Sequence, residues 1–249
     1  MDILGDRLGR LRPGRVLELA TGGGGFALTL ASRLGSYGEL VATDSSERAV
    51  TAAASALEGL RGVRVEIADA RALPYADASF DLVAVANSLH HFEDPSRVVA
   101  EALRVLRPGG ALVVFEMHRE AATEPELNHA RLHRFWGRVD SAGGVYHAET
   151  FDRARFRSLL GLPAFAESSW DEVPGPEGDP KDPELLAEVE RTFVMYRGRI
   201  AALKDPGLRA RLVDEADAVE ALVRERGFRS APSVLFVGRA IARDGGTPC

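Results

Sequence analysis

The segment at 18–26 reads ELATGGGGF, four consecutive glycines directly after the apolar run RVLEL. A short apolar run is a strand candidate. A glycine turn after it frees the backbone for left-handed conformations and for close approach by a ligand. The pattern then repeats without the glycines. Strands are expected at 15–20, 39–44, 63–69, 80–87 and 111–117. Between them, Phe26, Leu28, Leu30, Ala31 and Leu34 recur at helical spacing, and an alanine-rich helix is expected at 46–60. A further helix is expected at 94–110, with Asp94 as its cap, Pro95 in its first turn and Pro108-Gly109-Gly110 as its stop. Strands alternating with helices predict an α/β fold, a doubly wound parallel sheet with helices on both faces. In such sheets ligands lie at the carboxyl ends of the strands, so the residues just after each strand carry the function.

The second half is less regular. Helices are expected at 124–139 and 151–161, and a strand at 164–173. The stretch 174–183 is polar, holds Pro174, Pro176, Pro180 and Pro183, and reads as a linker. Two helices follow, each opening with Asp-Pro. Leu185, Leu186, Val189, Phe193, Tyr196, Ile200 and Leu203 mark the first; Leu208, Leu212, Ala216, Val219 and Val223 mark the second. They predict a helical hairpin inserted before a last strand at 233–241. The chain is expected to be a single domain over 1–249, with 118–160 and 174–231 as candidate substrate-cover segments. The hairpin could serve as a lid, as a homodimer contact, or simply pack on the sheet.

Composition narrows the partners. The 249 residues carry a net charge of -6, so no general attraction to nucleic acid or to an anionic membrane is expected. Nearly all positive charge is arginine, and the one cysteine, Cys249, is the last residue, so no intrachain disulfide can form. No stretch is long and apolar enough to span a membrane, and the N-terminus lacks the apolar core of a signal peptide; a cytoplasmic protein is expected.

Two ligands suit a glycine turn after a first strand: a dinucleotide, or S-adenosylmethionine (SAM). Gly22, Gly24 and position 27 lie at the spacing of the dinucleotide fingerprint, with Ala27 in the third place. The acidic strand ends favour SAM. Glu18, inside the end of the first strand, suits a sulfonium and an ammonium and is an odd neighbour for a pyrophosphate. Asp44 ends the second strand, where a carboxylate binds ribose hydroxyls in either case; capping the helix that follows is its other reading. Asp69 ends the third strand and can accept from an adenine amino group. None of the four tyrosines has a lysine four residues on, which argues against a short-chain reductase.

Taken together these stretches resemble the class I SAM-dependent methyltransferases, over about 14–117 and, more loosely, the last strand. VLELATGGGGF resembles the first motif, with Glu18 acidic and Ala20 in place of the usual first glycine; the same Ala-Thr-Gly variant occurs in quinone-biosynthesis C-methyltransferases. VATD resembles the second motif, IADARALPYADASFDLVAVANSLHHFEDP the third and fourth, and ALRVLRPGGALVVFE the helix and fifth strand. The resemblance implies a mostly parallel seven-stranded sheet with an antiparallel last strand, and SAM as cofactor with S-adenosyl-L-homocysteine as product. It assigns Glu18, Ala20, Gly22 and Gly24 to the methionine end, Asp44 and Ser45 to ribose, Asp69 and Ala70 to adenine, and Asn87 to the methionine portion.

Methyl transfer from a sulfonium is an in-line displacement, so a general base is needed only if the acceptor must first lose a proton. Candidates for that base are His90, His91 and His118, with Glu116 beside them. His129 and His133 share a helix face, where Glu126 or His147 could complete a metal site; without a fixed third ligand no metal is expected. His129, His133, Arg134 and Trp136 read as lining or covering an acceptor pocket. NSLHHF lacks the Asn/Asp-Pro-Pro-aromatic signature of nucleic-acid base methylation, so a small-molecule acceptor is expected. A nucleotide-cofactor oxidoreductase or a SAM-binding module without turnover are the competing readings.

Overall fold

The computed structural model describes residues 2–161 and 163–241; Cys249 lies outside them. In chain order the elements are α1 (Ile3–Leu8), β1 (Arg15–Leu19), α2 (Gly25–Arg33), β2 (Glu39–Asp44), α3 (Glu47–Ala56), β3 (Val63–Ile67), β4 (Phe80–Ala86), α4 (Pro95–Val105), β5 (Leu106–Met117), α5 (Glu124–Ala142), α6 (Arg153–Leu160), β6 (Phe165–Val173), α7 (Pro183–Ala201), α8 (Pro206–Arg226) and β7 (Ser233–Ala240).

The strands form one sheet in the order β3-β2-β1-β4-β5-β7-β6. β1 to β5 pair in parallel, while β7 runs antiparallel to both β5 and β6. The mostly parallel seven-stranded sheet with an antiparallel last strand is therefore as expected. The chain winds outward from β1 to β3, then returns to place β4 on the other side of β1. That reversal leaves a crevice beyond the carboxyl ends of β1 and β4, where such sheets bind ligands.

Strand periodicity sorts the core into two layers. Leu17, Leu19, Val83, Val85, Leu112 and Val114 face α4 and α6, packing on Val98, Val99, Ala102, Phe156 and Leu160. Their sequence neighbours Val16, Leu82, Ala84, Ala111 and Val113 face the opposite layer, with Leu8, Ala27, Leu30 and Ala53 of α1, α2 and α3. Central strands buried on both sides have no polar face, which is why they read as continuous apolar runs.

Several boundaries differ from the sequence expectation. α4 ends at Val105, not at 110. Leu106 already pairs with Phe80, and Arg107-Pro108-Gly109-Gly110 form an irregular lead-in before regular pairing resumes at Leu82 with Ala111. Asp94 does cap α4, accepting from the Ser96 and Arg97 amides. α3 stops at Ala56 rather than 60, and α1 was not anticipated at all.

The hairpin of α7 and α8 does not pack on the sheet. Val189, Phe193, Tyr196, Ile200, Leu212, Ala216, Val219 and Val223 form a separate core with Leu132, Phe135 and Val139 of α5. Asn128 of α5, fully buried, donates to the carbonyls of Leu222 and Gly227 at 3.1 and 2.8 Å and so ties α5 to the end of α8. Replacing Asn128 with alanine strands both carbonyls inside the protein. The expected loss is about 1–3 kcal/mol in urea unfolding. An Asn128→Ala protein as stable as wild type would show that this joint carries no load.

Candidate active site

The glycine turn begins in strained backbone. Ala20 has φ +53°, a left-handed conformation costing an L-residue about 1–2 kcal/mol. Gly22 and Gly24 follow with φ +55° and +85°. The Thr21 amide donates to the Thr43 carbonyl at 2.8 Å, which holds the turn onto β2. At Gly24 a Cβ would meet Ala53 Cα at 3.3 Å, so this glycine lets α2 close on α3. At Gly22 a Cβ would meet nothing within 4 Å. That side of the turn faces open space over the crevice, with room for a ligand against bare backbone.

Glu18 lies under the turn, 1% exposed, and its Oε2 accepts from Thr21 Oγ1 at 2.5 Å. Among the described residues it forms no ion pair, whereas buried carboxylates are as a rule paired. Burial pushes its pKa up to about 7, against the lowering effect of the Thr21 hydroxyl. A positive ligand group beside it would supply the missing charge.

Asp44 joins the second strand to the glycine turn. Its Oδ2 accepts from the Gly22 amide at 3.0 Å and its Oδ1 from the Ser46 amide at 2.9 Å. The cap of α3 is Ser46, which leaves Asp44 lone pairs and the exposed Ser45 at the crevice. Asp69 stands at the next strand end, bound at both oxygens by the Arg71 guanidinium, which holds its carboxyl below the ordinary range. Ala70 beside it is buried. Asn87, with φ +45°, turns the chain at the end of β4; its side-chain oxygen accepts from the Met117 amide.

Next to this crevice a cavity of about 420 Å³ opens under α5. Asn87, His90, Phe115, Met117, His129, His133 and Trp136 line it, with the 173–176 and 230–233 segments on the other side. The indole Nε1 of Trp136 is buried without a hydrogen-bond partner. Arg134, on the same helix, is exposed and lines a different surface hollow. The 174–183 linker thus contributes Pro174, Gly175 and Pro176 to the cavity wall, which nothing in its polar composition signalled.

The three histidines singled out as bases are placed very differently. His90 is 2% exposed and lines the cavity, its Nδ1 3.1 Å from Glu116 Oε2. His91 is exposed and outside the cavity lining, its ring 4.1 Å from that of His147. His118 is fully buried away from the cavity, neither ring nitrogen hydrogen-bonded, 3.7 Å from Glu172. Burial and nearby Arg153 keep it below the usual histidine range. Glu116 is 1% exposed; its Oε1 accepts from the Ser88 and Leu89 amides, so it holds the turn that carries His90.

His129 and His133 do not converge. His129 Nδ1 accepts from the Ala231 amide at 2.9 Å, and burial pushes its pKa down to about 4. His133 instead meets His147, Nε2 to Nε2, at 3.4 Å, and its ring lies 4.8 Å from that of His90. Burial first, then the neighbouring imidazoles, push His133 down to about 2.

Comparison with known proteins agrees with this arrangement. Residues 17–114 match the family model described as a methyltransferase domain. The chain is 38% identical over 124 residues to a ubiquinone/menaquinone biosynthesis C-methyltransferase, UbiE, of Hydrogenovibrio crunogenus, covering 48% of this chain and 48% of that protein. The chain thus spans about half the length of the curated relatives it matches. Among solved structures, YcgJ of Bacillus subtilis aligns over 97% of both chains with a TM-score of 0.60 at 16% identity. The phosphoethanolamine N-methyltransferase 2 of Haemonchus contortus, solved with S-adenosylhomocysteine, aligns over 96% of this chain and 51% of its own with a TM-score of 0.55 at 17% identity. Domain match, motif order and sheet topology support a class I SAM-dependent methyltransferase.

The raised pKa of Glu18 sets a pH dependence. Its carboxyl is protonated in the folded state up to about pH 7 but only to about 4.5 when unfolded. Between these values the unfolded chain binds fewer protons, so stability of the ligand-free protein falls as pH rises, by about 3 kcal/mol in all. Glu18→Gln should remove that fall. Parallel pH–stability curves for the two proteins would contradict the buried-acid assignment.

Proposed function

We propose that this protein transfers a methyl group from SAM to a small-molecule acceptor held in the cavity under α5. One observation carries the reading: a buried carboxylate without a cation, Glu18, lies directly beneath a glycine turn that opens onto the crevice. When bound, SAM supplies a methyl group on a sulfonium, already activated for displacement.

The residues fit that group. Glu18 would compensate positive charge at the methionine end, with Ala20, Gly22 and Gly24 giving bare backbone to approach. Asp44 and Ser45 would hold ribose hydroxyls, and Asp69 with Ala70 the adenine. Asp69 is engaged by Arg71, so adenine would share that carboxylate with the guanidinium. Asn87 separates crevice from cavity and would border both ligands. The protein's share of catalysis is to hold the acceptor in line and keep water out. Trp136 offers an indole N–H to an acceptor oxygen, and His90 is the histidine of the three placed to take a proton from it.

The acceptor we favour is a flat, largely apolar molecule with a hydroxyl or enol edge. Phe115, Met117 and Trp136 supply apolar wall, and His90, His133 and the indole N–H supply the polar edge. Similarity to UbiE, a ubiquinone/menaquinone biosynthesis C-methyltransferase, supports the same class. α5 with the α7–α8 hairpin would be its cover.

Calorimetric titration with SAM, S-adenosylhomocysteine and NADH tests the reading. SAM and its product should bind and NADH should not, and Asp44→Ala should weaken SAM at least about tenfold, the loss of one charged hydrogen-bond pair. SAM affinity should rise between about pH 6 and about pH 8 as Glu18 ionises, and Glu18→Gln should flatten that rise. Binding of NADH alone would point to an oxidoreductase. SAM binding without transfer to any quinol or phenol would leave a module that only senses SAM.

A further inference from the structure

Beside the cavity, whose wall includes His90 and His133, three histidines from separate parts of the chain converge. His90 comes from the turn after β4, His133 from the middle of α5, and His147 from the loop beyond α5. One ring nitrogen from each lies within 4.8 Å of the other two. All three side chains are at least nine-tenths buried: His90 is 2% exposed, His147 7% and His133 9%.

The second nitrogens fix the chemistry of the first. His90 Nδ1 stands 3.1 Å from Glu116 Oε2, and His147 Nδ1 stands 2.9 Å from Asp140 Oδ2. A carboxylate only accepts, so each Nδ1 carries the proton and each Nε2 presents a lone pair. His90 Nε2 is buried without a hydrogen-bond partner. His147 Nε2 faces His133 Nε2 at 3.4 Å, a distance at the outer limit of a hydrogen bond. His133 Nδ1 also lacks a partner. Buried polar atoms are nearly always satisfied, so a cluster in which His90 Nε2 has no partner and the Nε2 atoms of His133 and His147 meet only weakly is short of something that accepts lone pairs.

Both carboxylates are themselves held in place. Glu116 accepts from two backbone amides, and Asp140 accepts from Tyr196 Oη and the Arg199 guanidinium. Carboxylate–histidine pairs of this kind orient metal ligands and fix their tautomer. The His147 loop is also pinned: the Ala148 amide donates to the His90 carbonyl at 3.0 Å. Gly137 is what lets that loop reach α5, since a Cβ there would lie 2.9 Å from the His147 carbonyl oxygen.

We infer that His90, His133 and His147 bind one divalent transition-metal ion of the zinc class, with a fourth coordination position open to the acceptor cavity. Three neutral imidazoles and a free position are the donor set of a catalytic rather than a structural zinc site. A dication there would also offset the buried charge of Glu116. Its use rests on the methyl-transfer reading. With its Nε2 lone pair on the metal, His90 would not serve as the base, and an acceptor hydroxyl bound at the open position would instead lose its proton to solvent. Methyl would then pass from the sulfonium to that oxygen or to a ring carbon conjugated with it, leaving neutral S-adenosylhomocysteine.

The test is metal binding by tag-free protein, stripped with a chelator and then titrated with Co²⁺ and with Zn²⁺. The expected result is about one Co²⁺ per chain with the visible d–d absorption of a four-coordinate ion, displaced by Zn²⁺. His133→Gln and His147→Gln should each lose the signal, His129→Gln should keep it, and Asp140→Asn should weaken affinity roughly 10–100-fold. Circular dichroism and SAM calorimetry on the same variants report whether fold and cofactor site survive. No Co²⁺ signal in wild type, or an equal signal in His133→Gln and His147→Gln, overturns the site. A metal site that forms in a protein unable to bind SAM would refute the methyltransferase reading and leave the metal assignment standing. SAM binding without metal would do the reverse.

Discussion

The carboxylate of Glu116 is the point on which the site is built. It sits on β5, buried between sheet and turn, and holds three donors from the chain that leaves β4: the Ser88 and Leu89 amides and the His90 ring. Each of these groups would be costly to bury alone. Together they turn the chain sharply after Asn87 and aim His90 into the cavity. Asn87 completes the join in the other direction, accepting from the Met117 amide. The ends of β4 and β5 are thus locked by side chain to backbone bonds where the regular ladder stops, and crevice and cavity share one wall.

The other wall is built on a separate principle. α5, α7 and α8 have their own apolar core, apart from the two layers that cover the sheet. Asn128 ties the unit together, and it meets the sheet domain through polar links: the Ala231 amide donates to His129, and the Ala148 amide of the following loop donates to the His90 carbonyl. Such a cover keeps its shape while its seat on the sheet depends on a few directional bonds. The two binding regions therefore differ in kind. The crevice is fixed by strand ends of the main core, and the cavity by a helical unit with a core of its own.

This division explains what was legible in the sequence. The sheet could be read because central strands buried on both faces leave uninterrupted apolar runs, and because Glu18, Asp44 and Asp69 stand at strand ends where topology alone places them side by side. α4's end could not, because Leu106 satisfies a helical and a strand pattern equally, and pairing with Phe80 decides the matter. α7 and α8 were visible as stripes, yet a stripe does not say what it packs on, and α5 was not considered as its partner. On the acceptor side, spacing was a poor guide. His129 and His133 share a helix face, but one turn of helix sends the first to the 230–233 segment and the second to the cluster. His147, 14 residues beyond His133, is legible as a candidate beside that pair, whereas His90 is distant in sequence and joined to the cluster only by the fold.

The two sites also handle buried charge in opposite ways, and this links them. Under the glycine turn a lone carboxylate is left without a cation and becomes hard to ionise. In the cavity, carboxylates are spent on fixing imidazoles, and His133 is kept neutral well below physiological pH. The first arrangement is poised for a ligand that brings positive charge with it. The second keeps lone pairs bare and unprotonated for a partner that accepts them. On the proposed reading, methyl transfer from a sulfonium would remove one positive charge from the crevice and, with a hydroxylic acceptor, one proton from the cavity. Asn87, which lines the cavity and follows the end of β4, would then keep those two changes apart while letting the methyl group cross between them.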